Sequence, residues 1–396
     1  MMVKDNVWRQ RRLAVPKRTS ELVALIALSS TLFLFLHTRD LHSRLREMEV
    51  KLQPGDNEIS GNQISSEDIQ SGLGAQPLQG LKRTSIELYD HLDPLDIDAL
   101  NNTKRADKHV LFFNRVPKVG SQTFMQLLRR LSMRNAFAFN RDQVQRVETI
   151  RLAPYEQRQL VRLVNSYSEP SVYVKHVCFT NFSEFNLPQP IYMNVVRDPV
   201  ERVISWYYYV RAPWYYVERK QIFPDLPLPD PEWLKKDFES CVLNGDRECR
   251  YIEGEYHEGI GDHRRQTLFF CGHSEKCTPF NTVGALERAK LSVEKHYSVV
   301  GVLEDVNTTL TVLENYIPQF FEGAKELYWD EMNSFKRINR NSFKPPVSEE
   351  VKEMVRRNFT REIEFYQFCR QRLHRQFHAL KLSPTLSTIQ DSGNNL

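Results

Sequence analysis

Glycine is scarce, 15 in 396 residues. Nowhere does it fall in the GxxxxGK[ST] spacing that wraps a triphosphate, which argues against a nucleotide kinase of the Walker type. The six cysteines, Cys178, Cys241, Cys249, Cys271, Cys277 and Cys369, form no C-x2-C pairs. A structural zinc site wants two such pairs, so no metal is expected. No segment repeats at a fixed period. Excess charge of one sign is also missing from the body of the chain. Residues 1–18 hold Lys4, Arg9, Arg11, Arg12, Lys17 and Arg18 against Asp5, a local +5 that exceeds the whole-chain +4. The remainder is therefore slightly acidic, and nucleic-acid binding gains no support. With 41% hydrophobic and 26% charged residues, the composition is that of a globular protein.

Behind the basic tail, residues 1–21, stands an uncharged apolar run over 22–38, LVALIALSSTLFLFL and two residues more, at the short end of what spans a bilayer. Basic residues ahead of it predict a cytoplasmic N-terminus and a lumenal body. His37-Thr38-Arg39-Asp40 lacks the small residues of a signal-peptide cleavage site. Residues 39–104 read as a stem, with Leu41, Leu45, Met48 and Leu52 at heptad-like steps and a Gly/Ser/Asn/Gln-rich spacer over 53–78. The folded domain is expected over 105–381, with a disordered tail at 382–396. Cysteine use fits an oxidising compartment, and the spacings suggest local pairs Cys241 to Cys249 and Cys271 to Cys277, with Cys178 and Cys369 either paired or free. N-x-[ST] sequons stand at Asn101, Asn181, Asn307 and Asn358, all on the predicted lumenal side.

Within the domain the pattern predicts strands at 110–114, 172–177, 191–196 and 298–303. Helices are predicted at 121–133, 155–167, 199–211, 285–295 and 306–317, with a long C-terminal helix over 347–378. Strand and helix alternate, which argues for an α/β fold with a central, mostly parallel sheet flanked by helices. The Pro- and Cys-rich segment 212–280 interrupts the alternation and reads as an insertion that builds substrate walls. Ligands of such sheets collect at the carboxyl ends of strands.

Two strand ends carry chemistry. "NRVPKVGSQTF" (114–124) joins an apolar strand to a helix start, where unpaired N–H groups suit an anion. Lys118 can neutralise charge, Gly120 permits close approach, and Ser121 and Thr123 bring hydroxyls. The loop is too short for a triphosphate and fits one tetrahedral anion. "NVVRDPVERVISWYYY" (194–209) ends a second strand in Arg197, then Asp198 as N-cap and Pro199 at the first helical position. Arg197 and Ser205, two turns further on, can clasp a second phosphate. The aromatics 206–209 read mainly as core, and Arg264-Arg265 with Lys336-Arg337-Arg340-Lys344 read as polymer grips or solvated faces. His273 reads as a loop residue.

Together these stretches, with "KHVCFTNF" (175–182), "LFFCGHSEKC" (268–277), "ALERAKLSVEKHYSVVGVLED" (285–305) and "FFEGAKELY" (320–328), resemble the uronyl 2-O-sulfotransferase group. That group includes the heparan sulfate and dermatan/chondroitin enzymes and Pipe-type proteins. The resemblance covers 110 to about 370 and implies a P-loop-like sulfotransferase fold using 3′-phosphoadenosine 5′-phosphosulfate (PAPS). It implies Lys118, Val119, Gly120, Ser121, Gln122 and Thr123 as the 5′ loop, and Arg197 with Ser205 as 3′-phosphate contacts. His176 takes the place of the catalytic base, with Lys118 acting on the leaving oxygen. Arg115, Arg337 and Asn339 are implied as acceptor contacts. Val174 stands where the heparan enzyme has a second histidine, and Gln122 where it has a hydroxyl residue. The expectation is a Golgi type II membrane enzyme that transfers sulfate to the 2-O position of uronic acid in a glycosaminoglycan or glycoprotein glycan. A homo-oligomer without a metal is implied. The alternative is a glycan-binding protein that keeps the fold without turnover.

Overall fold

The computed structural model describes residues 96–256, 264–331 and 344–382, all within one compact unit, Gln79–Leu396. The predicted N-terminal tail, membrane span, stem residues 39–95, the chain beyond Leu382, Arg337 and Asn339 lie outside the described residues. Residues 96–104, expected as the end of the stem, belong instead to the folded domain: Ile97–Leu100 is a short helix, and Asn102 is buried with its Nδ2 donating to the Tyr297 carbonyl at 2.9 Å. Among the described residues no helix is long and apolar enough to cross a membrane.

Five parallel strands form one sheet: β1 (Val110–Asn114), β2 (Ala138–Arg141), β3 (Ser171–Lys175), β4 (Ile191–Val196) and β5 (Tyr297–Val302), in the order β2-β3-β1-β4-β5. Every residue of β1, β3, β4 and β5 is buried. Helices covering both faces require this and explain why these strands read as unbroken apolar runs. Phe112 pairs with Tyr173 on one side and Tyr192 on the other, so β1 is the middle of the sheet. From β1 the chain crosses to the edge strand β2, returns to β3 beside β1, and then passes to β4 and β5 on the other side. The crevice outside the carboxyl ends of β1 and β4 is therefore where the connections diverge.

The strand β2 was not foreseen: it is a four-residue edge strand, Ala-Phe-Asn-Arg, with no residue fully buried, and so lacks an apolar signature. The expected strand 172–177 ends earlier, at Lys175. The Arg115 N–H takes the Lys175 carbonyl at 2.9 Å and terminates the ladder, leaving His176 just beyond the strand end.

Helices α1 (Ser121–Arg134), α2 (Pro154–Asn165), α3 (Pro199–Arg211), α4 (Pro213–Ile222), α5 (Val283–His296), α6 (Val306–Tyr316), α7 (Glu349–Arg357) and α8 (Thr360–Leu382) pack around the sheet. As read from the sequence, the Asp198 carboxylate caps α3 by accepting from the Glu201 N–H at 2.9 Å, with Pro199 at the first position. The single C-terminal helix expected over 347–378 is instead two. Asn358 ends α7, Phe359 turns inward and is fully buried, and the Asn281 Oδ1 accepts from the Arg361 N–H at 2.8 Å to start α8.

One apolar core surrounds the sheet. A second lies under α3, where Val203, Tyr207 and Tyr208 meet Phe238, Tyr251 and Phe280 of the insertion and Val351 and Phe359 beyond it. The Phe359 ring lies 4.8 Å from Tyr251 and 5.1 Å from Phe280, in edge-on geometry. Such pairs add about 0.5–1.5 kcal/mol each beyond their buried area. The segment 212–280 thus builds core. Its two local disulfides, Cys241–Cys249 and Cys271–Cys277, are formed as the spacing predicted. Cys178 and Cys369 are free and buried, and burial pushes the Cys178 thiol up to about 12.

Candidate active site

The loop after β1 is built to hold its backbone outward. Val116 and Val119 bury their side chains completely. Lys118 and Gly120 both adopt left-handed conformations, with φ of 65° and 77°. For the non-glycine residue Lys118 this is a strained state of order 1–3 kcal/mol, of the kind that gathers at binding sites. A Cβ on Gly120 would stand 2.5 Å from Leu303 Cδ1, so any other residue there would meet a strained φ and have to displace the end of the Leu303 side chain. The Ser121 hydroxyl donates to the Val116 carbonyl at 2.7 Å and closes the loop on itself. Among the described residues, the N–H groups of residues 119 to 122 meet no backbone acceptor. Such N–H groups at the start of α1 make a candidate anion cradle.

Cations converge on that cradle. The Lys118 Nζ lies 4.0 Å from the centre of the Tyr209 ring. Burial, then the charges of Arg197 and Lys344, lower its pKa to about 8. Arg197, one residue past β4, donates from Nη1 to the Lys118 carbonyl at 3.3 Å, with Glu201 at 3.6 Å and Glu304 at 3.9 Å. Ser205, half-buried on α3, makes no side-chain hydrogen bond among the described residues. Thr123 is buried, and its N–H donates to the Gly120 carbonyl at 2.9 Å.

His176 joins the same loop. Its Nδ1 lies 2.8 Å from the Arg115 carbonyl. A carbonyl only accepts, so Nδ1 carries the proton and Nε2 presents its lone pair. Burial, then the Arg115 charge, holds the imidazole well below its ordinary pKa, against the opposing effect of that hydrogen bond. The ring is therefore neutral near pH 7. Arg115 donates from Nη1 to the Gln122 Oε1 at 2.9 Å, giving Gln122 a bracing role within the loop. Glu148, facing Arg115, is raised above the usual carboxylate range by burial, against the Arg115 charge. Val174 is buried in the sheet.

Among the described residues, the fold thus brings Arg115, Lys118, Gly120, Ser121, Gln122, His176 and Arg197 to adjacent strand ends. Other residues singled out from the sequence go elsewhere. Arg264 and Arg265 are buried, donating to the carbonyls of Arg247 (3.2 Å) and Cys277 (3.3 Å), and are neither polymer grips nor a solvated face. His273 bridges the Leu152 N–H (3.0 Å) and the Thr180 hydroxyl (2.8 Å), and burial lowers it to about 4. The sequons at Asn307 and Asn358 are exposed, while Asn101 and Asn181 are half-buried and cap short turns. The aromatic run divides: Tyr207 and Tyr208 enter the second core, while Trp206 and Tyr209 are half-buried. Supporting residues escaped the sequence reading, Arg202 among them. Arg202 is fully buried beneath the loop, with Nη1 3.5 Å from the Pro117 carbonyl. An arginine at a core-facing position between Val200 and Val203 was its only signal.

The pattern that defines the sulfotransferase family matches residues 101–369. Over 95% of its length the chain is 37% identical to the uronyl 2-sulfotransferase homolog pip of Drosophila melanogaster, covering 92% of that protein. It is 31% identical to the uronyl 2-sulfotransferase of Mus musculus over 68% of this chain and 62% of that one. With heparan sulfate 2-O-sulfotransferase 1 of Gallus gallus it shares 32% identity over 66% of this chain and 70% of the other.

Proposed function

The chain belongs to the sulfotransferase family, and from that premise we propose that it transfers sulfate from PAPS to the 2-O position of uronic acid in a glycosaminoglycan or related glycan. The observation that carries this reading is the meeting of two strand ends, with the Arg197 guanidinium on the Lys118 carbonyl and the His176 imidazole on the Arg115 carbonyl, five residues upstream of Gly120 at the helix start. Relatives named for uronyl and heparan sulfate 2-O transfer support the acceptor class.

The donor set fits PAPS. Unpaired N–H groups and an ammonium suit its 5′ side, a guanidinium with a nearby hydroxyl suits its 3′-phosphate, and the mutual repulsion of Lys118, Arg197 and Lys344 is relieved by an anion. When bound, PAPS supplies a sulfuryl group on a phosphate leaving group. His176 Nε2 takes the proton of the attacking hydroxyl as the sulfur–oxygen bond forms. Lys118 and the cradle stabilise charge growing on the phosphate oxygen as its bond to sulfur breaks. Arg115 pairs with the uronate carboxylate, and Arg197 and Ser205 hold the 3′-phosphate. Arg337 and Asn339 complete the acceptor side in this reading. No step needs a metal.

Golgi placement as a type II membrane protein, with the anchor at 22–38 and the domain lumenal, accords with the basic tail ahead of that run and with two disulfides in the domain. Homo-oligomerisation belongs to the same proposal. The test is incubation of the purified full chain with labelled PAPS and a panel of uronate-containing glycans, followed by disaccharide analysis. Label at the uronate 2-O position is expected. Glycan binding without label transfer would favour a protein that keeps the fold without turnover.

A further inference from the structure

Arg197 is fixed from behind by a side chain of the Cys-rich insertion. Gln266 is fully buried; its Nε2 donates to the Arg197 carbonyl at 2.8 Å, and its Oε1 accepts from the Arg197 N–H at 3.3 Å. Arg197 lies just beyond β4, where the ladder ends, and the glutamine amide supplies the donor and acceptor that a neighbouring strand would have offered. Gln266 is itself held. Its N–H donates to the Glu362 Oε2 at 2.7 Å, and the Thr267 N–H and hydroxyl converge on the same carboxylate. Glu362, on α8, is fully buried, and the Arg202 charge faces it. Because Arg202 also reaches the Pro117 carbonyl, one buried polar chain connects α8 to both loops.

We propose that Gln266 is a positioning residue for the 3′-phosphate, setting the backbone of Arg197 so that its guanidinium is presented to that group. This inference rests on the reading of Arg197 as the 3′-phosphate contact. A side chain at 266 must both donate and accept. Glutamate keeps the shape and the acceptor but loses the donor, turning a carboxylate oxygen toward the Arg197 carbonyl. Leucine loses both. Either change frees the peptide at 197 and relaxes the aim of the guanidinium.

Calorimetry of the full chain with 3′,5′-ADP and with 5′-AMP tests this, since the two differ only in the 3′-phosphate. Gln266→Glu and Gln266→Leu are expected to weaken 3′,5′-ADP binding about tenfold, a loss on the scale of one charged-group hydrogen bond, while leaving 5′-AMP within twofold. The near-isosteric Gln266→Glu serves if Gln266→Leu does not fold. Equal weakening of both nucleotides, or no weakening of either, overturns the positioning role. Arg197→Ala separates the two levels. If it leaves the preference for 3′,5′-ADP unchanged, the assignment of Arg197 fails. If it abolishes the preference while Gln266→Glu keeps it, only the role of Gln266 fails.

Discussion

His176→Ala is expected to lower sulfate transfer by about 10²–10⁴-fold, the range for loss of a general base, with 3′,5′-ADP affinity unchanged. The imidazole contributes a lone pair at Nε2 only while Nδ1 keeps its proton, and the Arg115 carbonyl at 2.8 Å enforces that tautomer. Burial and the Arg115 charge keep the ring neutral well below its ordinary range. The sign of the pH effect follows. A base works when unprotonated, so lowering its pKa extends activity to more acidic pH. The acid limb of kcat/KM should lie well below 6.5, whereas an unperturbed histidine would halve the rate near 6.5. Radiolabel transfer measured from pH 5 to 8 checks both statements. Wild-type rates in the alanine variant would remove His176 from the chemistry.

Lys118→Ala is expected to weaken 3′,5′-ADP binding roughly 10- to 150-fold, the factor for losing one hydrogen bond to a charged group. The same lysine makes binding pH-dependent. In the free protein burial and neighbouring cations bring its pKa to about 8, and a bound phosphate raises it again. Affinity is therefore full below pH 8 and declines as pH rises through 8, with proton uptake on binding in that window. Titration in buffers of different ionisation enthalpy measures the uptake. Lys118→Ala should abolish it; identical proton uptake in variant and wild type would contradict the placement.

Legibility in the sequence followed the range of the interactions. The strands β1 and β4 and the helix α3 matched their predicted bounds because each carries its own signals: an apolar run ending in Asn114 or Arg197, and Asp198-Pro199 at the helix start. The cradle was legible for the same reason, since Lys118, Gly120 and Ser121 act within one turn. The edge strand β2 was not, because half-exposed residues carry no period. Nor were the supports. Arg202 meets Pro117 across 85 residues, Gln266 meets Arg197 across 69, and Glu362 meets Gln266 across 96. No local pattern encodes such pairs. Arg264 and Arg265 misled for a related reason: a charged doublet looks solvated until distant carbonyls are seen to receive it. The site's residue types could be read locally, while what holds them in register is tertiary.

The central claim is that the ends of β1 and β4 together bind one doubly phosphorylated nucleotide. A crystal structure of the protein with 3′,5′-ADP tests it most directly. The account predicts the 5′-phosphate against the N–H groups of residues 119 to 122 beside the Lys118 ammonium, with the 3′-phosphate on Arg197 and Ser205. A nucleotide bound away from either strand end, or with only one phosphate in this crevice, would contradict it.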